Sequence, residues 1–515
     1  MKSAAVLGLL AATGCNQIWG LGPVDLEPPA DGDPTSNPRI RITTQIAKTT
    51  ASGMVDTELG YGPIAPAPAV LLGLLDETLE NAEYGPDGTV LYPTDLVGKP
   101  WRLVYKLADG VPREVRWSPP AGTVGHIVDP QFGRLERLPV PPGSGYKITP
   151  MGSLPQHTLT RVFTTGLWTE GVVPTPIPSG AALDYDFSTR AVSLGGPLGA
   201  PEKARADHGV LVDFKNQNGC RVATGTATFA VPDLVAGSST APAMEPEYIV
   251  ADKTVRLTLG GPRPIDVRLQ TLLGTRAGGA PDVLRMEYGY TPSLDVFGFS
   301  RQPATPPLDF YLPGPLVIAL VNCTIAQGST SFQSETFADA LDLSPLFSRA
   351  VHVEVVNQRM LGSLVLSSGF SAVLTASDLN FASDFAVAAP IRIKLLRGGV
   401  QIADLETAAD GATLPAGDEL LELTFALESN PGLAADSFDI NLYSVQGPDL
   451  KLQGIYTLSE RTLTLDPAAL LSNTEYIFEI RAYRGRLNAA RGDFAANTYP
   501  QYAVSIFTRS FKTPP

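Results

Sequence analysis

Histidine and cysteine, on which most metal sites and many catalytic sites depend, are scarce in this chain. Its 515 residues include four histidines and three cysteines. No two histidines have the short spacing of paired metal ligands, so the sequence excludes a local histidine-based zinc motif. The four are His126, His157, His208 and His352. We therefore predict neither a metal ion nor another cofactor.

The local signatures of common catalytic sites are missing as well. The sequence has no Gly-x-Ser-x-Gly turn, no His-Glu-x-x-His motif and no glycine-rich phosphate or dinucleotide loop. A Ser-x-x-Lys match at residues 144–147 has no companion motif, and we interpret it as chance. Glycosidases need only two carboxylates, which leave little local signature. Asp184 and Asp186 would share one face of a strand, and Asp207 lies beside His208; we interpret these as solvated positions and predict no enzyme.

Positive charge is in short supply too. The chain has 38 Lys and Arg against 52 Asp and Glu, a net charge of −14, and charged residues make up only 17%. This balance argues against nucleic acid as a partner, because the phosphate backbone attracts basic surfaces. The acidity is spread along the chain, and we interpret it as a source of solubility. Beyond the first residues, no apolar run approaches the roughly 20 residues that a membrane-spanning helix needs.

The amino terminus has the pattern of a secretory signal. Lys2 precedes an apolar run at residues 4–12, and two small residues, Thr13 and Gly14, lead to Cys15. This pattern resembles the lipobox of bacterial lipoproteins. The resemblance implies that residues 1–14 are a signal peptide that is cut away, and that Cys15 carries the lipid. It also implies that the partner of this end of the chain is a membrane.

The residues after Cys15 are suited to a tether. Residues 22–38 are rich in proline, aspartate and glycine and too poor in apolar residues to bury a core. We therefore predict a disordered tether over residues 15–38. In the lipoprotein family an aspartate directly after the lipidated cysteine commonly retains the protein at the inner membrane, and this chain has Asn16 there. The resemblance thus implies the outer membrane, on its periplasmic or surface face.

The body of the chain has the composition of a β protein. It contains 49 glycines and 46 prolines, with 44% hydrophobic residues, which favours short strands joined by turns. Residues 101–107 alternate between apolar and polar, turn at Asp109-Gly110 and lead to Trp117, as in a hairpin. Residues 351–355 alternate in the same way, and there His352 is interpreted as an outward or satisfied residue. We predict a mainly β chain of serial antiparallel β-sandwich domains.

Proline-rich breaks divide this body into three domains. We predict a β-rich domain at residues 39–180, which could hold two small modules, a β-sandwich at 181–388 and a third domain at 389–515. Two short segments, 69–80 and 335–343, are the helical candidates.

If Cys15 carries lipid, Cys220 and Cys323 remain as an even pair in an oxidising compartment. A disulfide between them would close a loop of about 100 residues and place both in one domain. The alternative is two buried free thiols in separate strands.

The last domain resembles bacterial Ig-like and fibronectin type III modules. Its strand-like segments end with Asn473, Thr474, Glu475 and Tyr476 before a late strand, and the final strand closes with Phe511-Lys512-Thr513. The resemblance implies a structural role for Tyr476, as the tyrosine corner that connects two sheets. Residues 487–500 form a longer connection than usual and are the candidate binding loop.

Together these features predict a lipid-anchored cell-envelope protein that acts in binding, adhesion or scaffolding, with a protein or glycan as ligand. Two alternatives stay open. A cleft with paired carboxylates in residues 181–388 would favour a hydrolase of polysaccharide or peptide, and a large apolar cavity would favour a carrier of an apolar ligand.

Overall fold

A computed structural model of the chain consists almost entirely of β-strands, as the sequence predicts. The residues that it describes are 39–49, 55–59, 71–74, 79–82, 90–91, 101–106, 111–117, 126–132, 140–148, 159–164, 167–171, 182–186, 192–193, 203, 208–241, 249–250, 252–259, 283–292, 318–325, 329, 331–339, 347–383, 388–428, 434–486, 489 and 500–515. The signal peptide and tether predicted at residues 1–38 lie outside this part of the chain.

The strands range in length from two to fifteen residues. In the first half they are β1 (Arg39–Thr49), β2 (Val55–Leu59), β3 (Leu71–Leu74), β4 (Glu80–Asn81), β5 (Val90–Leu91), β6 (Trp101–Lys106), β7 (Pro112–Trp117), β8 (His126–Phe132), β9 (Gly145–Ile148), β10 (Leu159–Thr164), β11 (Leu167–Gly171), β12 (Leu183–Asp186), β13 (Val192–Ser193), β14 (His208–Gln217), β15 (Cys220–Ala230), β16 (Ser239–Thr240) and β17 (Ile249–Val250).

In the second half they are β18 (Arg256–Leu259), β19 (Val283–Pro292), β20 (Ile318–Ile325), β21 (Ser331–Gln333), β22 (Phe347–Leu361), β23 (Leu364–Thr375), β24 (Asn380–Ser383), β25 (Pro390–Arg397), β26 (Val400–Asp404), β27 (Ala412–Thr413), β28 (Leu421–Leu427), β29 (Ser437–Gln446), β30 (Asp449–Leu458), β31 (Thr462–Leu465), β32 (Glu475–Arg484), β33 (Gln501–Phe507) and β34 (Phe511–Lys512). A 3₁₀ turn at Pro467–Ala469 is capped by Asp466, whose carboxylate accepts a hydrogen bond from the amide of Ala468.

One large sheet of 20 strands, the continuous sheet, runs through most of the described chain. Neighbouring strands follow the order β13-β11-β10-β14-β15-β20-β19-β22-β23-β33-β32-β29-β30-β7-β6-β3-β4. Within this path every pair is antiparallel except β30 with β7. Three further strands belong to this sheet. Strand β17 pairs with β15, β34 pairs with β32, and β27 pairs with β34.

Three smaller sheets complete the sandwiches, and a separate sheet contains β1, β2, β5 and β8. The first sandwich places β12-β9-β16 on β10, β14 and β15, with an edge-to-face contact of Tyr146 and Phe229 in its core. The middle sandwich places β21-β18-β24 on β19 and β22, where Tyr288 contacts Phe337 and Phe381. The last sandwich places β26-β25-β28-β31 on β30-β29-β32-β33.

Alternation of side chains explains these layers. On β29, Phe438 and Ile440 point into the last sandwich, where Phe438 packs edge-to-face on Phe425 with ring centroids 5.0 Å apart. Two sheets with buried inner faces are the sandwich arrangement, and the last sandwich has four strands in each sheet. The prediction of serial β-sandwiches is therefore confirmed.

The hairpin predicted at residues 101–117 is formed by β6 and β7, with Leu103 opposite Val115 and both buried. The strand that pairs with the other edge of β7 was not predicted from the sequence. Strand β7 also pairs in parallel with β30, where Arg113 lies opposite Ile455 and Arg116 lies opposite Leu458. A segment near the start of the chain thus extends the sheet of the last sandwich.

Neither helical candidate is borne out by the described residues. Within 69–80, Leu71–Leu74 is strand β3, because its apolar residues pair with β6. Within 335–343, the described residues contain no helix, and Phe337 forms a bridge with Lys253 while its ring packs on Tyr288. Pairing with β6 in the first segment, and the bridge to Lys253 in the second, outweigh local helical preference.

The domain limits near residues 180 and 388 stay predictions. The continuous sheet passes across the second of them, since Gly369–Val373 of β23 pairs with Gln501–Ser505 of β33. In the part of the chain that the structure describes, no helix has the length and apolar character needed to cross a membrane.

Candidate functional site

A group of charged side chains lies buried on the outer face of the middle sandwich. On β19, Met286 and Tyr288 point into the core, so Glu287 between them points to the opposite face. On β22, Val351 and Val353 face the core in the same way. Glu287, His352 and Glu354 are buried, Arg285 and Asn322 are half-buried, and we call the five together the carboxylate–histidine cluster.

Strand register brings the members of this cluster together. Glu287 lies opposite His352 on β22 and opposite Asn322 on β20, and Arg285 lies opposite Glu354. The side-chain amide of Asn322 donates to Oε1 of Glu287. Nδ1 of His352 lies 3.4 Å from Oε2 of Glu287, and Nη1 of Arg285 lies 3.7 Å from Oε2 of Glu354.

The surroundings shift the two carboxyl groups in opposite directions. Burial raises the pKa of Glu354, and the charges of His352 and Arg285 offset this only in part. Burial also acts to raise the pKa of Glu287, but the hydrogen bond and charge of His352, with the charges of Arg285 and Arg221, outweigh it and the pKa is lowered. Glu287 is thus held ionised, while Glu354 binds a proton more readily than an exposed glutamate.

Two buried atoms of the carboxylate–histidine cluster have no hydrogen-bond partner, namely Nε2 of His352 and Oε1 of Glu354. A buried polar atom without a partner is costly, so such atoms mark places where a further polar group would be stabilising. Among the described residues no three His, Cys, Asp or Glu side chains are placed to hold a metal ion.

A second buried carboxylate, on the last sandwich, is fully satisfied by contrast. Glu479 is 1% exposed and accepts from Arg481 at 2.8 Å through both oxygens, from Ser505 at 2.6 Å, from Asn441 at 3.0 Å and from Tyr443 at 3.1 Å. These charge-assisted bonds join β29, β32 and β33. With its oxygens fully engaged, Glu479 has a structural role.

A third charged group connects the middle and last sandwiches, and we call it the junction clamp. Arg359 of β22 donates to Oδ2 of Asp410 at 2.8 Å and to the carbonyl oxygen of Thr508. Arg509 donates to the same carboxylate at 3.0 Å, and the amide of Ser510 donates to its Oδ1 at 2.9 Å. The clamp lies beside the ladder between β23 and β33, so charge and backbone pairing act at one junction.

Of the residues singled out from sequence, Cys15 lies outside the described chain. Cys220 and Cys323 lie directly opposite each other on β15 and β20 and are joined by a disulfide, with Cα atoms 4.0 Å apart. Tyr476 is the first residue of β32 that faces the core. Its hydroxyl accepts a hydrogen bond from the amide of Leu471 at 2.8 Å. This is the contact of a tyrosine corner.

Among the described residues, the remaining candidates are not brought together. The hydroxyl of Ser144 donates to the carbonyl oxygen of Pro141 at 2.6 Å, and Lys147 is exposed. Asp184 is exposed on β12, two residues from Asp186. Asp207, His157 and most of the predicted binding loop at 487–500 lie outside the described residues.

Sequence reasoning missed the carboxylate–histidine cluster, although the sequence shows that two of its residues lie on one face of a strand. The alternation around His352 and Glu354 places both on one face of a strand. Their partner Glu287 is 65 residues away in sequence and becomes a neighbour only through the pairing of β19 with β22. His352 proves to be buried, with one ring nitrogen near Glu287 and the other without a partner.

Comparisons with known proteins give little beyond this. No family model matches the sequence, and no curated protein matches it. Among solved structures, domains FN1 to FN3 of chicken CNTN1 match at 9% identity over 92% of this chain and 99% of theirs, with a TM-score of 0.14. A domain segment of titin matches at 10% identity over 72% of this chain and 97% of its own, with a TM-score of 0.15. At such TM-scores a common overall fold is not established, and the sandwich architecture rests on the strand pairing itself.

Proposed function

We propose that this chain is a lipid-anchored protein of the bacterial cell envelope whose β-sandwiches act in binding, adhesion or scaffolding. The membrane partner would be reached through lipid on Cys15, at the outer membrane, on its periplasmic or surface face. A protein or glycan would be the second partner, contacted by loops that the strands hold in place. Nucleic acid is not among the proposed partners.

The observation that carries this proposal is the continuous sheet. Consecutive sandwiches share it, so they are joined edge to edge by backbone hydrogen bonds as well as by the chain. The pairing of β23 with β33 spans five residues on each strand, and the junction clamp adds charged contacts beside it. A support of this kind suits a protein that holds a binding surface at a fixed position.

The first test concerns the anchor. We expect intact mass of the native protein to show loss of residues 1–14 and addition of diacylglycerol and acyl mass at Cys15. Cys15→Ser should leave the chain unmodified and out of the membrane fraction. Asn16→Ser, which keeps the cysteine, is the matched control and should stay lipidated. An unmodified amino terminus in the wild type would contradict the anchor.

The second test concerns the role of the sandwiches. In a strain that lacks the chromosomal copy, we expect the anchored chain to restore surface attachment or envelope integrity. The Cys15→Ser chain should restore neither, because binding modules that are not anchored transmit no force to the envelope. If the deletion changes neither property, the adhesion and scaffolding roles are wrong.

A hydrolase remains the alternative because Glu287 and Glu354 have oppositely shifted pKa values, the pattern of a base paired with an acid. The test is release of reducing ends from purified envelope polysaccharide. Loss of that release in both Glu287→Gln and Glu354→Gln, but not in Glu422→Gln, would support the hydrolase over the proposed function.

A further inference from the structure

The first sandwich contains a buried carboxyl group for which the proposed function has no use. Asp213 lies on β14 and is 0% exposed. Because Leu211 two residues earlier belongs to the core of the first sandwich, Asp213 faces the same core and its small sheet β12-β9-β16. On the neighbouring strand β10, Thr160 lies opposite Asp213.

Neither carboxylate oxygen of Asp213 has a hydrogen-bond partner. Its neighbour Thr160 shares a hydrogen bond of 2.6 Å with the hydroxyl of Tyr185 on β12. On β15 the residue opposite Asp213 is Gly225, which offers no side chain. An ionised carboxylate in this position would lack both water and a compensating donor, which is among the most costly arrangements in a protein interior.

Lys215, two residues further along β14 on the same face, is only half-buried, and among the described residues no donor is within hydrogen-bond distance of the Asp213 carboxyl group. In the described core that this group faces, the titratable side chains are the phenols Tyr146 of β9 and Tyr185 of β12. The hydroxyl of Tyr146 donates to the carbonyl oxygen of Pro232 at 2.9 Å. Lys147 and Asp184, from the same two strands, are exposed on the far side of the small sheet.

Two guanidinium groups of the neighbouring strands lie on the other face of the continuous sheet. Arg161 of β10 and Arg221 of β15 both lie over the ring of Phe214, at 5.6 and 5.7 Å from its centroid. Phe214 follows Asp213 in the chain and therefore points the opposite way. These charges do not offset the cost of ionising Asp213.

We propose that the first sandwich is a pH-sensitive module, in which Asp213 is protonated while the sheet β12-β9-β16 packs tightly and ionises when this packing loosens. Burial supports the proposal, because it raises the pKa of Asp213 from 3.8 to about 7. This inference depends only on the fold and is independent of the anchor. Its consequence is a module that is tightest in acidic surroundings and opens more readily as the pH rises to neutral.

The direction follows from proton linkage. The packed state binds a proton up to about pH 7, whereas the opened state, with Asp213 in water, loses it near 3.8. Between these values opening releases one proton, so the opening equilibrium rises up to about tenfold per pH unit. Above about pH 7 both states are ionised and the rise ends.

Hydrogen–deuterium exchange of the full chain tests this, read on peptides from β9, β12 and β14 and corrected for intrinsic exchange rates. We expect the opening constant of the wild type to rise severalfold to tenfold per unit from pH 5 to 7. In Asp213→Asn the rise should disappear, because an amide does not ionise. Asp184→Asn, an exposed position on β12, is the matched control and should keep the wild-type slope.

Asp213→Leu serves as a second variant, since an apolar side chain of similar size fits this core and removes the charge if the amide disturbs folding. It should also be independent of pH. A wild-type opening constant that does not change from pH 5 to 7 would overturn the proposal by itself. So would an unchanged slope in Asp213→Asn or Asp213→Leu.

Discussion

At the scale of single residues, the last sandwich depends on a few polar side chains that tie its strands to their connections. Tyr476 is the clearest, because its ring is 1% exposed and stacks on Phe511, while its hydroxyl reaches the amide of Leu471. The ring and the hydroxyl therefore make separable contributions. Replacing Tyr476 by phenylalanine removes the hydroxyl contact and keeps the ring contact.

Tyr476→Phe should destabilise the last sandwich by about 1 kcal/mol, the usual net contribution of one intramolecular hydrogen bond. The measurement is hydrogen exchange of β32 peptides at increasing urea in the full chain. Tyr456→Phe is the matched control, because no described residue forms a hydrogen bond with that half-buried hydroxyl, and it should change protection little. Equal effects of the two variants would argue against the tyrosine corner.

At the scale of strands, the sequence predicted what is local and missed what is distant. The hairpin of β6 and β7 follows from alternation and a turn within 17 residues, all visible in one window. The pairing of β7 with β30 joins segments more than 300 residues apart, and no local pattern specifies it. The candidate site shows the same division, since His352 and Glu354 lie on one strand and Glu287 on another.

The cysteines are an exception, because a pairing can be suggested at any distance: if Cys15 carries lipid, Cys220 and Cys323 are the two that remain, with two free thiols as the open alternative. Their disulfide links β15 to β20, whose ladder is short in this region, with three residue pairs from Cys220 to Val222. A cross-link at one end of so short a ladder should stabilise it strongly.

Replacing both residues, Cys220→Ser with Cys323→Ser, should destabilise the contact of β15 with β20, between the first and middle sandwiches, by about 4 to 5 kcal/mol, as expected for a loop of about 100 residues. The two cysteines are 103 positions apart in the sequence. The measurement is urea unfolding of the full chain, read on exchange of β19 and β20 peptides. Mass after alkylation without reductant is the control, and two alkylated thiols in the wild type would contradict the bridge.

At the scale of the whole molecule, the contact between the middle and last sandwiches decides whether the chain acts as one support. Hydrogen bonds, apolar packing and charged contacts meet there. The ladder of β23 and β33 is extended by a hydrogen bond from the amide of Phe507 to the hydroxyl of Ser368. Leu366 of β23 packs with Phe507 and Tyr443 of the last sandwich. Charge is added by the junction clamp.

Asp410 of the junction clamp makes this contact sensitive to acid. Burial acts to raise its pKa, but the amide of Ser510 and the charges of Arg359 and Arg509 outweigh it, so the pKa of Asp410 is lowered. A group with a lowered pKa in the folded protein stabilises it above the ordinary value of 3.8, and this stabilisation is lost as pH falls through the lowered pKa. The junction should therefore weaken below about pH 4.

Arg359→Met keeps the aliphatic stem but removes the guanidinium, and it should loosen the junction by about 1 to 3 kcal/mol because Thr508 and Asp410 both lose a charged donor. Exchange should increase at residues 369–373 and 501–505, while β28 in the last sandwich stays protected. The acid dependence at the junction should also become shallower, since less charge then holds Asp410 ionised. Arg461→Met, an exposed arginine of the last sandwich, should leave both properties unchanged. If Arg359→Met behaves like this control, the ladder and the apolar contacts join the two sandwiches and the guanidinium of Arg359 contributes nothing to the support.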